Sequence, residues 1–533
     1  MFKKLVAFSL MGLLVVSCTG NGGAKKNTFV YCSEGSPSGF NPQFLTDGPS
    51  HNAAAYPLYN RLVSFETGST NIIPSLSESW TVSDDQLTYT FNIRKGVKFH
   101  TTKYFKPTRE LDASDVVWSF NRMYKKDHPY NKVSGGIYEY WDGMGMSNII
   151  KEIKQTDKYQ VQIRLHYPEA PLLANMAMAF TSVLSREYGE KMLAAKTPEE
   201  FDRKPVGTGP FIFSSYQKDT MIRYTANKDY FNGVPKIKRM VFSIIPDPSV
   251  RTQKLVAGEC HLATQPAPTD IAALKANKEI TVLDGPGLNV AYLAMNTEKK
   301  PFDNIHVRRA INFALNRSAY IDPIYLGFAT IAKNPMPPTI WGYNDDISAS
   351  EYNIKKAKEE LKKAGLPNGF ETTIWTLPVS RPYNPNGKKM GELMQEDLAK
   401  VGIKVELVSY DWPTYLKKAH AGEHSLIQMG WTGDNGDPDN FLYMLLSCEG
   451  AKAGSNYANW CNEDYDRQVI MAKRLSDRKK RAKYYQKAQE VFNKDLPWIP
   501  LFHSTVHRAM RSNVKGFKIH PLGNDIFTNI SIE

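Results

Sequence analysis

The apolar positions between residues 353 and 446 switch repeatedly between two periods. Ile354, Ala357, Leu361 and Ala364 recur at three to four residues behind Asn353, a good helix N-cap, and Gly365 with Pro367 stops the run. A β-rich stretch follows at 371–377, then a helical pattern through Met390, Leu393, Met394, Leu398 and Val401. In 403–408, Ile403, Val405 and Leu407 alternate with Lys404 and Glu406, the period of a half-buried strand. Asp411 caps the next helix, which carries Trp412, Tyr415, Leu416 and Ala419 and closes at Gly422 ahead of a strand over 425–431. Strands separated by helices of this length predict β-α-β units and a mostly parallel sheet, an α/β fold.

In open α/β sheets, ligands bind beyond the carboxyl ends of the strands. The loops to inspect are therefore 378–383, which carries Arg381, and 432–437, which carries Asp434. Elsewhere the N-terminal half is rich in strand signals, at 28–31, 87–93, 161–165, 240–245 and 290–296, with helical segments at 113–124 and 307–315. No repeat or low-complexity linker separates domains, so strands crossing between lobes are expected. Residues 465–494 carry one long helical pattern. Its basic cluster, Arg478, Lys479, Lys480, Arg481 and Lys483, is expected to form a solvated face.

The longest apolar run is N-terminal: Lys3 and Lys4 precede residues 5–16, then Ser17 and Cys18. It is too short to span a bilayer and has the three-part form of a secretory signal peptide, residues 1–17. Val15-Val16-Ser17-Cys18 resembles a lipobox, which would make Cys18 the acylated first residue of a lipoprotein, and 19–26 a polar tether. A net charge of +13 raises the question of nucleic acid, but export and the even spread of lysines argue against that partner. With 533 residues, the chain should form two to four domains at about 150 residues each.

Enzyme chemistry finds little support. There is no H-E-x-x-H, Walker A, G-x-S-x-G or kinase set. His503 and His507 follow a strand-like Pro497-Trp498-Ile499-Pro500, and no metal site is expected from them. The run 434–439 fails as a calcium loop, because Asp439 and Leu445 stand where glycine and glutamate are required. Asp437 is instead expected to cap a helix with Pro438 in its first turn, leaving Asp434 without a structural duty. Besides Cys18 there are four cysteines, and three connectivities are open. We expect Cys448–Cys461, closing a short loop for about 3 kcal/mol, and Cys32–Cys260.

Several stretches carry a family resemblance: Phe29 to Pro37, Tyr59-Asn60-Arg61-Leu62-Val63, Asn92 to His100, Gly207-Thr208-Gly209-Pro210-Phe211, Arg381-Pro382-Tyr383-Asn384-Pro385-Asn386 and Gly430 to Asn440. The chain resembles the family-5 extracellular solute-binding proteins of bacterial ABC importers, in their dipeptide-binding branch, over essentially everything after the tether. The resemblance implies a two-lobed periplasmic binding protein of type II, in the three-domain peptide-binding subclass. Domain I would comprise 18–60, 190–285 and 505–533, domain II 61–189, and domain III, the second lobe, 286–504. It also implies the two disulfides named above.

For the site, the resemblance implies that Asp434 meets the ligand's α-ammonium and Arg381 its α-carboxylate. Two extended residues span roughly 7 Å, so such a fixed pair acts as a ruler for a dipeptide. Arginine's planar fork suits a carboxylate. Pro382, Tyr383, Trp431, Thr432 and Gly433 complete that side, and Thr46, Asp47 and Gly48 belong to the other lobe. Asp47 stands where a small polar residue is expected and would favour cationic ligand side chains; Tyr138 is a further candidate wall. The expected partners are a dipeptide, the ABC permease subunits of the inner membrane and a lipid anchor, on a monomer with no resident cofactor. The alternative cargo is haem or glutathione, because lipoproteins of the same fold are linked to both.

Overall fold

The computed structural model describes residues 28–533, so the expected signal peptide, the expected lipidation at Cys18 and the expected tether lie outside the described residues. The predicted β-α-β unit is present. Strand Glu371–Trp375 runs parallel to both Lys404–Val408 and Leu426–Thr432, with helix Gly387–Ala399 in the first crossover and Trp412–His420 in the second. Asn353 does cap the preceding helix, its side chain accepting from the Lys356 N–H, and Gly365 beyond the end has φ +77°.

The surrounding sheet is mixed rather than mostly parallel. It has 12 strands, and on the far side of Leu426–Thr432 come the antiparallel strands Asn289–Met295 and Trp498–Arg511. Beyond them lie Leu262–Thr264, Thr28–Ser33, Arg239–Ile244, Met221–Ala226 and Phe211–Gln217. Local patterning carries no information about partners so distant in sequence, which is why only the local parallel unit was predicted.

Strand Trp498–Arg511 joins the two lobes. Its first residues pair with Asn289–Met295, and from Thr505 onward it pairs with Ile280–Pro286, while Met510 to Arg508 also meet Leu262–Thr264. Its 14 residues are almost all buried, as are all of Asn289–Met295, the expected signature of strands covered on both faces. At the crossing point the Asn289 amide donates to the Ser504 carbonyl, and the Ser504 N–H donates back to Asn289 Oδ1 at 2.9 Å. Gly287 has no room for a Cβ there, which would lie 2.6 Å from that same carbonyl oxygen.

A separate four-stranded antiparallel sheet, Ser77–Val82, Thr88–Ile93, Gln160–Leu165 and Ile150–Asp157, packs with helix Ala113–Tyr124. That helix starts at a capping box built by Asp112 and Asp115. Both disulfides are formed, Cys32–Cys260 and Cys448–Cys461.

Two expectations fail at the C-terminal helices. The predicted single helix is two, Glu463–Arg474 and Arg478–Asp495, because Asp477 caps the second by accepting from the Lys480 N–H. Arg481 is also not on a solvated face. It is buried, its guanidinium lies 4.8 Å over the Trp341 ring, and Nη2 is 2.9 Å from Asp437 Oδ1. Asp437 caps as expected in substance, accepting from the Asp439 N–H, but the helix begins one residue later, at Asp439.

The most heavily used buried ion pair is Arg122 with Asp202, a two-pronged contact at 2.9 and 2.8 Å. Asp202 also accepts from Asn41 and Ser134, tying four chain segments together. Asp202→Ala leaves Arg122 buried without a counter-charge and should cost about 3–5 kcal/mol, read as a lowered urea midpoint by tryptophan fluorescence.

Candidate functional site

The Asp434 and Arg381 loops leave the same end of two adjacent parallel strands, as the topology requires. At the first, the Gly433 N–H donates to the Leu288 carbonyl at 2.7 Å, and a Cβ on Gly433 would lie 2.6 Å from the Phe441 ring. The Asp434 N–H and the Trp431 indole both donate to the side-chain oxygen of buried Asn440, at 2.8 and 3.0 Å. These contacts leave the Asp434 carboxylate free of backbone duty. Its partner comes from the opposite lobe: the Tyr140 hydroxyl donates to Oδ2 at 2.7 Å.

Burial pushes the Asp434 carboxyl up to about 7, against the opposing pull of hydrogen bonds from Tyr140 and Asn440. Among the described residues no cationic side chain makes an ion pair with it. Burial and then the Asp434 charge hold the Tyr140 phenol well above its usual range, so it stays a donor.

The Arg381 loop is held differently. Arg381 and Asn384 exchange backbone hydrogen bonds at 3.0 Å, closing a tight turn. The Pro382 carbonyl accepts from the Ser504 hydroxyl at 2.5 Å, which fastens the loop to the lobe-crossing strand. The Tyr383 carbonyl accepts from Tyr325 at 2.7 Å. The Tyr383 ring lies on Gly430, where a Cβ would come within 2.2 Å of it. The Arg381 guanidinium sits 4.6 Å above the Trp412 ring, a cation–π contact, and among the described residues no carboxylate pairs with it. Arg381 and Asp434 are therefore not each other's salt-bridge partners. Each is a charge at the strand ends with its ionic valence unused.

The remaining predicted residues divide. Thr46 bonds through its hydroxyl to Glu139 of its own lobe, whose Oε1 lies 3.8 Å from His420 Nε2 of the other. Thr432 is a ladder residue opposite Asn289, and Gly48 is exposed with nothing within 4 Å of a hypothetical Cβ. Asp47 is corrected: its carboxylate accepts from the Ser50 N–H and hydroxyl at 3.0 and 2.7 Å and from Ser38 at 3.1 Å, so it is committed to a helix cap rather than offered to a cationic ligand side chain. Tyr138 is also corrected. It is buried, stacks on Phe44, and donates its hydroxyl to the Asn131 carbonyl at 2.9 Å. The aromatic that reaches the site is Tyr140, two residues on. A glycine-rich loop gives no period by which the sequence could have separated the two.

Sequence reasoning also missed Asn440 and Ser504. Asn440 had a faint signal, lying six residues after Asp434 on the predicted helix. Ser504 had none. Among the described residues no group of three His, Cys, Asp or Glu side chains is placed to hold a metal ion, and no helix is long and apolar enough to cross a membrane.

Two lobes joined by crossing strands, with an unpaired anion and an unpaired cation at the strand ends, define a solute-binding clamp. The chain belongs to the bacterial extracellular solute-binding proteins, family 5, whose middle-region model matches residues 71–453. It is 50% identical over 523 residues to the dipeptide-binding protein of Escherichia coli (strain K12), covering 98% of each chain. It is 44% identical over 543 residues to heme-binding protein A of Haemophilus influenzae, covering 100% of this chain and 99% of that one. The fold matches the crystal structure of a dipeptide-binding protein from Pseudoalteromonas sp. SM9913 in complex with Met-Leu, with a TM-score of 0.91, 36% identity, and coverage of 95% of this chain and 100% of that one.

The raised Asp434 carboxyl has a consequence for stability. Its folded value, about 7, lies above the unfolded carboxyl range near 4, so ionising it disfavours the folded state progressively as pH rises from about 4 to 7. Asp434→Asn without ligand should therefore melt higher than the parent at pH 8, with the gap closing toward pH 4. Equal gaps at both pH values in thermal unfolding would contradict this.

Proposed function

We propose that this protein is the periplasmic receptor of an ABC importer, capturing dipeptides by their charged ends and delivering them to a membrane permease. It is a binding protein, not an enzyme. The observation that carries the reading is Asp434: a carboxylate held in a poorly solvated place, with a raised pKa and no cation, at the strand end beside an unpaired arginine. A peptide's α-ammonium supplies the missing cation and its α-carboxylate suits the Arg381 fork. Trp431 and Gly433 flank one pole, Pro382 and Tyr383 the other, and Thr46 with Gly48 approach from the opposite lobe. Enclosure strengthens both charge pairs, because neither is then screened by water.

Calorimetry on the purified protein with several dipeptides tests this. Blocking the ligand's amine by acetylation, or its carboxylate by amidation, should each weaken binding by at least about 100-fold, the scale for truncating one partner of an enclosed charge pair. Arg381→Ala should do the same for the free dipeptide. Blocked and free peptides binding alike would overturn the reading.

A second cargo, haem in place of a dipeptide, is favoured by the full-length likeness to heme-binding protein A. A Soret titration with dipeptide competition separates the two: tight haem binding that dipeptides do not displace would select the haem reading. We further propose a monomer anchored through acylated Cys18. Cys18→Ser should release the protein from the membrane fraction and remove the lipid mass from its N-terminal peptide.

A further inference from the structure

A second cleft opens between the residues preceding the four-stranded sheet and the C-terminal segment, and it shares no lining residue with the loops of Asp434 and Arg381. It encloses about 880 Å³ including its open mouth. Two arginines, Arg61 and Arg94, line it, and no aspartate or glutamate does.

Arg61 is the unusual member. It is 4% exposed, yet no carboxylate among the described residues pairs with it. Its guanidinium lies 4.9 Å over the Tyr56 ring, Nη1 reaches the Ala55 carbonyl only at 3.4 Å, and Nε has no hydrogen-bond partner. Every other arginine at least as buried, Arg122, Arg251, Arg317 and Arg508 among them, holds a carboxylate or several backbone carbonyls. A buried guanidinium remains charged, and leaving it uncompensated is costly.

The groups around it are arranged to donate. The Tyr230 hydroxyl accepts from the Asn60 amide at 3.2 Å, and the Tyr56 hydroxyl accepts from the Asn524 amide at 2.6 Å, so each phenol has its own proton left to give. Burial pushes the Tyr56 phenol up to about 12, the Arg61 charge pulling it down and the Asp434 charge adding to the rise, and burial holds the His520 imidazole down at about 4, so neither contributes a negative or positive charge near neutral pH. Arg94 donates to the Ser75 carbonyl at 3.2 Å and lies 5.4 Å over Phe231, which fixes its plane at the cleft wall. The cleft thus has two cations, surplus donors and no anionic acceptor. Asp434 makes no ion pair with Arg61, although both charges reach the Tyr56 phenol.

We propose that this cleft is a binding site for a small oxyanion, a solute bearing a carboxylate or phosphate group, with Arg61 as its central ligand and Arg94, Tyr56 and Tyr230 as supporting donors. The site shares no lining residue with the Asp434 and Arg381 loops, although Tyr56 lies within electrostatic reach of Asp434.

The test is calorimetry of the full chain in a zwitterionic low-salt buffer, titrated with inorganic phosphate and, separately, with citrate. One or both should bind with a 1:1 stoichiometry, and which one binds tells phosphate chemistry from carboxylate chemistry. Arg61→Gln and Arg94→Gln should each weaken that binding by about tenfold or more, the loss of one charge-assisted contact. Arg94→Gln should leave dipeptide affinity unchanged. If Arg61→Gln fails to fold, Arg94→Gln and Tyr230→Phe carry the comparison. No heat with either anion, or binding that survives undiminished in the variants, overturns the proposal.

Discussion

A carboxylate kept from water and given no cation is the constraint around which the second lobe is organised. Asp434 is neither neutralised by a lysine nor left in solvent. Instead Asn440 takes up the Asp434 N–H and the Trp431 indole, and Tyr140 reaches across from the opposite lobe to cradle the charge. Exposed ion pairs are worth about 0–1 kcal/mol because water competes for both partners. Holding one partner partly desolvated in advance removes much of that competition, so on the proposed reading an arriving ammonium gains more from the contact than it would at an open surface.

The same arrangement spans the two lobes. Tyr140 lies on the segment that follows the four-stranded domain's first helix, whereas Asp434 lies at the end of a strand in the other lobe. The lobes also meet at Asn435 with Asn175, at 2.8 Å, and at a buried cluster in which Lys473 lies 3.2 Å from Glu169 and 3.8 Å from Asp439. The Lys473 ammonium sits over the Tyr443 ring in that cluster. Strand Trp498–Arg511 runs between the lobes, and its Ser504 hydrogen-bonds both Asn289 at the crossing and the Pro382 carbonyl beside Arg381. The Arg381 loop is thereby fastened to the lobe-crossing strand, while Asp434 is met by the facing lobe. On the proposed reading, such a division suits a clamp that grips one end of its ligand before closing on the other.

What the sequence made legible follows from the range of its signals. Asn353, Gly365 and the alternation of Ile403, Val405 and Leu407 act within a few residues, and the parallel unit they predict is present. The placement of Arg381 and Asp434 at one sheet edge followed from that unit. The antiparallel neighbours of Leu426–Thr432 are paired across tens to hundreds of residues, so no local pattern encodes them. Arg481 was misjudged because a run of basic residues says nothing about which one turns inward to meet Asp437. Asp47 and Tyr138 were misplaced for a related reason: residue type alone does not show that Ser50 needs a cap, or that Asn131 needs a donor. Tyr140 and Ser504 act only through contacts between distant segments, and these exist only once the chain is folded.

On the proposed reading, Asp434, its carboxyl raised to about 7 by burial, loses its proton when a dipeptide's ammonium arrives. Calorimetry of a tight-binding dipeptide at pH 6, repeated in buffers of different ionisation enthalpy, measures this directly, because the ligand's own amine is already charged there and only the protein can release a proton. With a carboxyl near 7, close to one proton should leave per peptide bound, and Asp434→Asn should abolish the release in whatever binding remains. Binding enthalpies that do not change with the buffer would contradict the account.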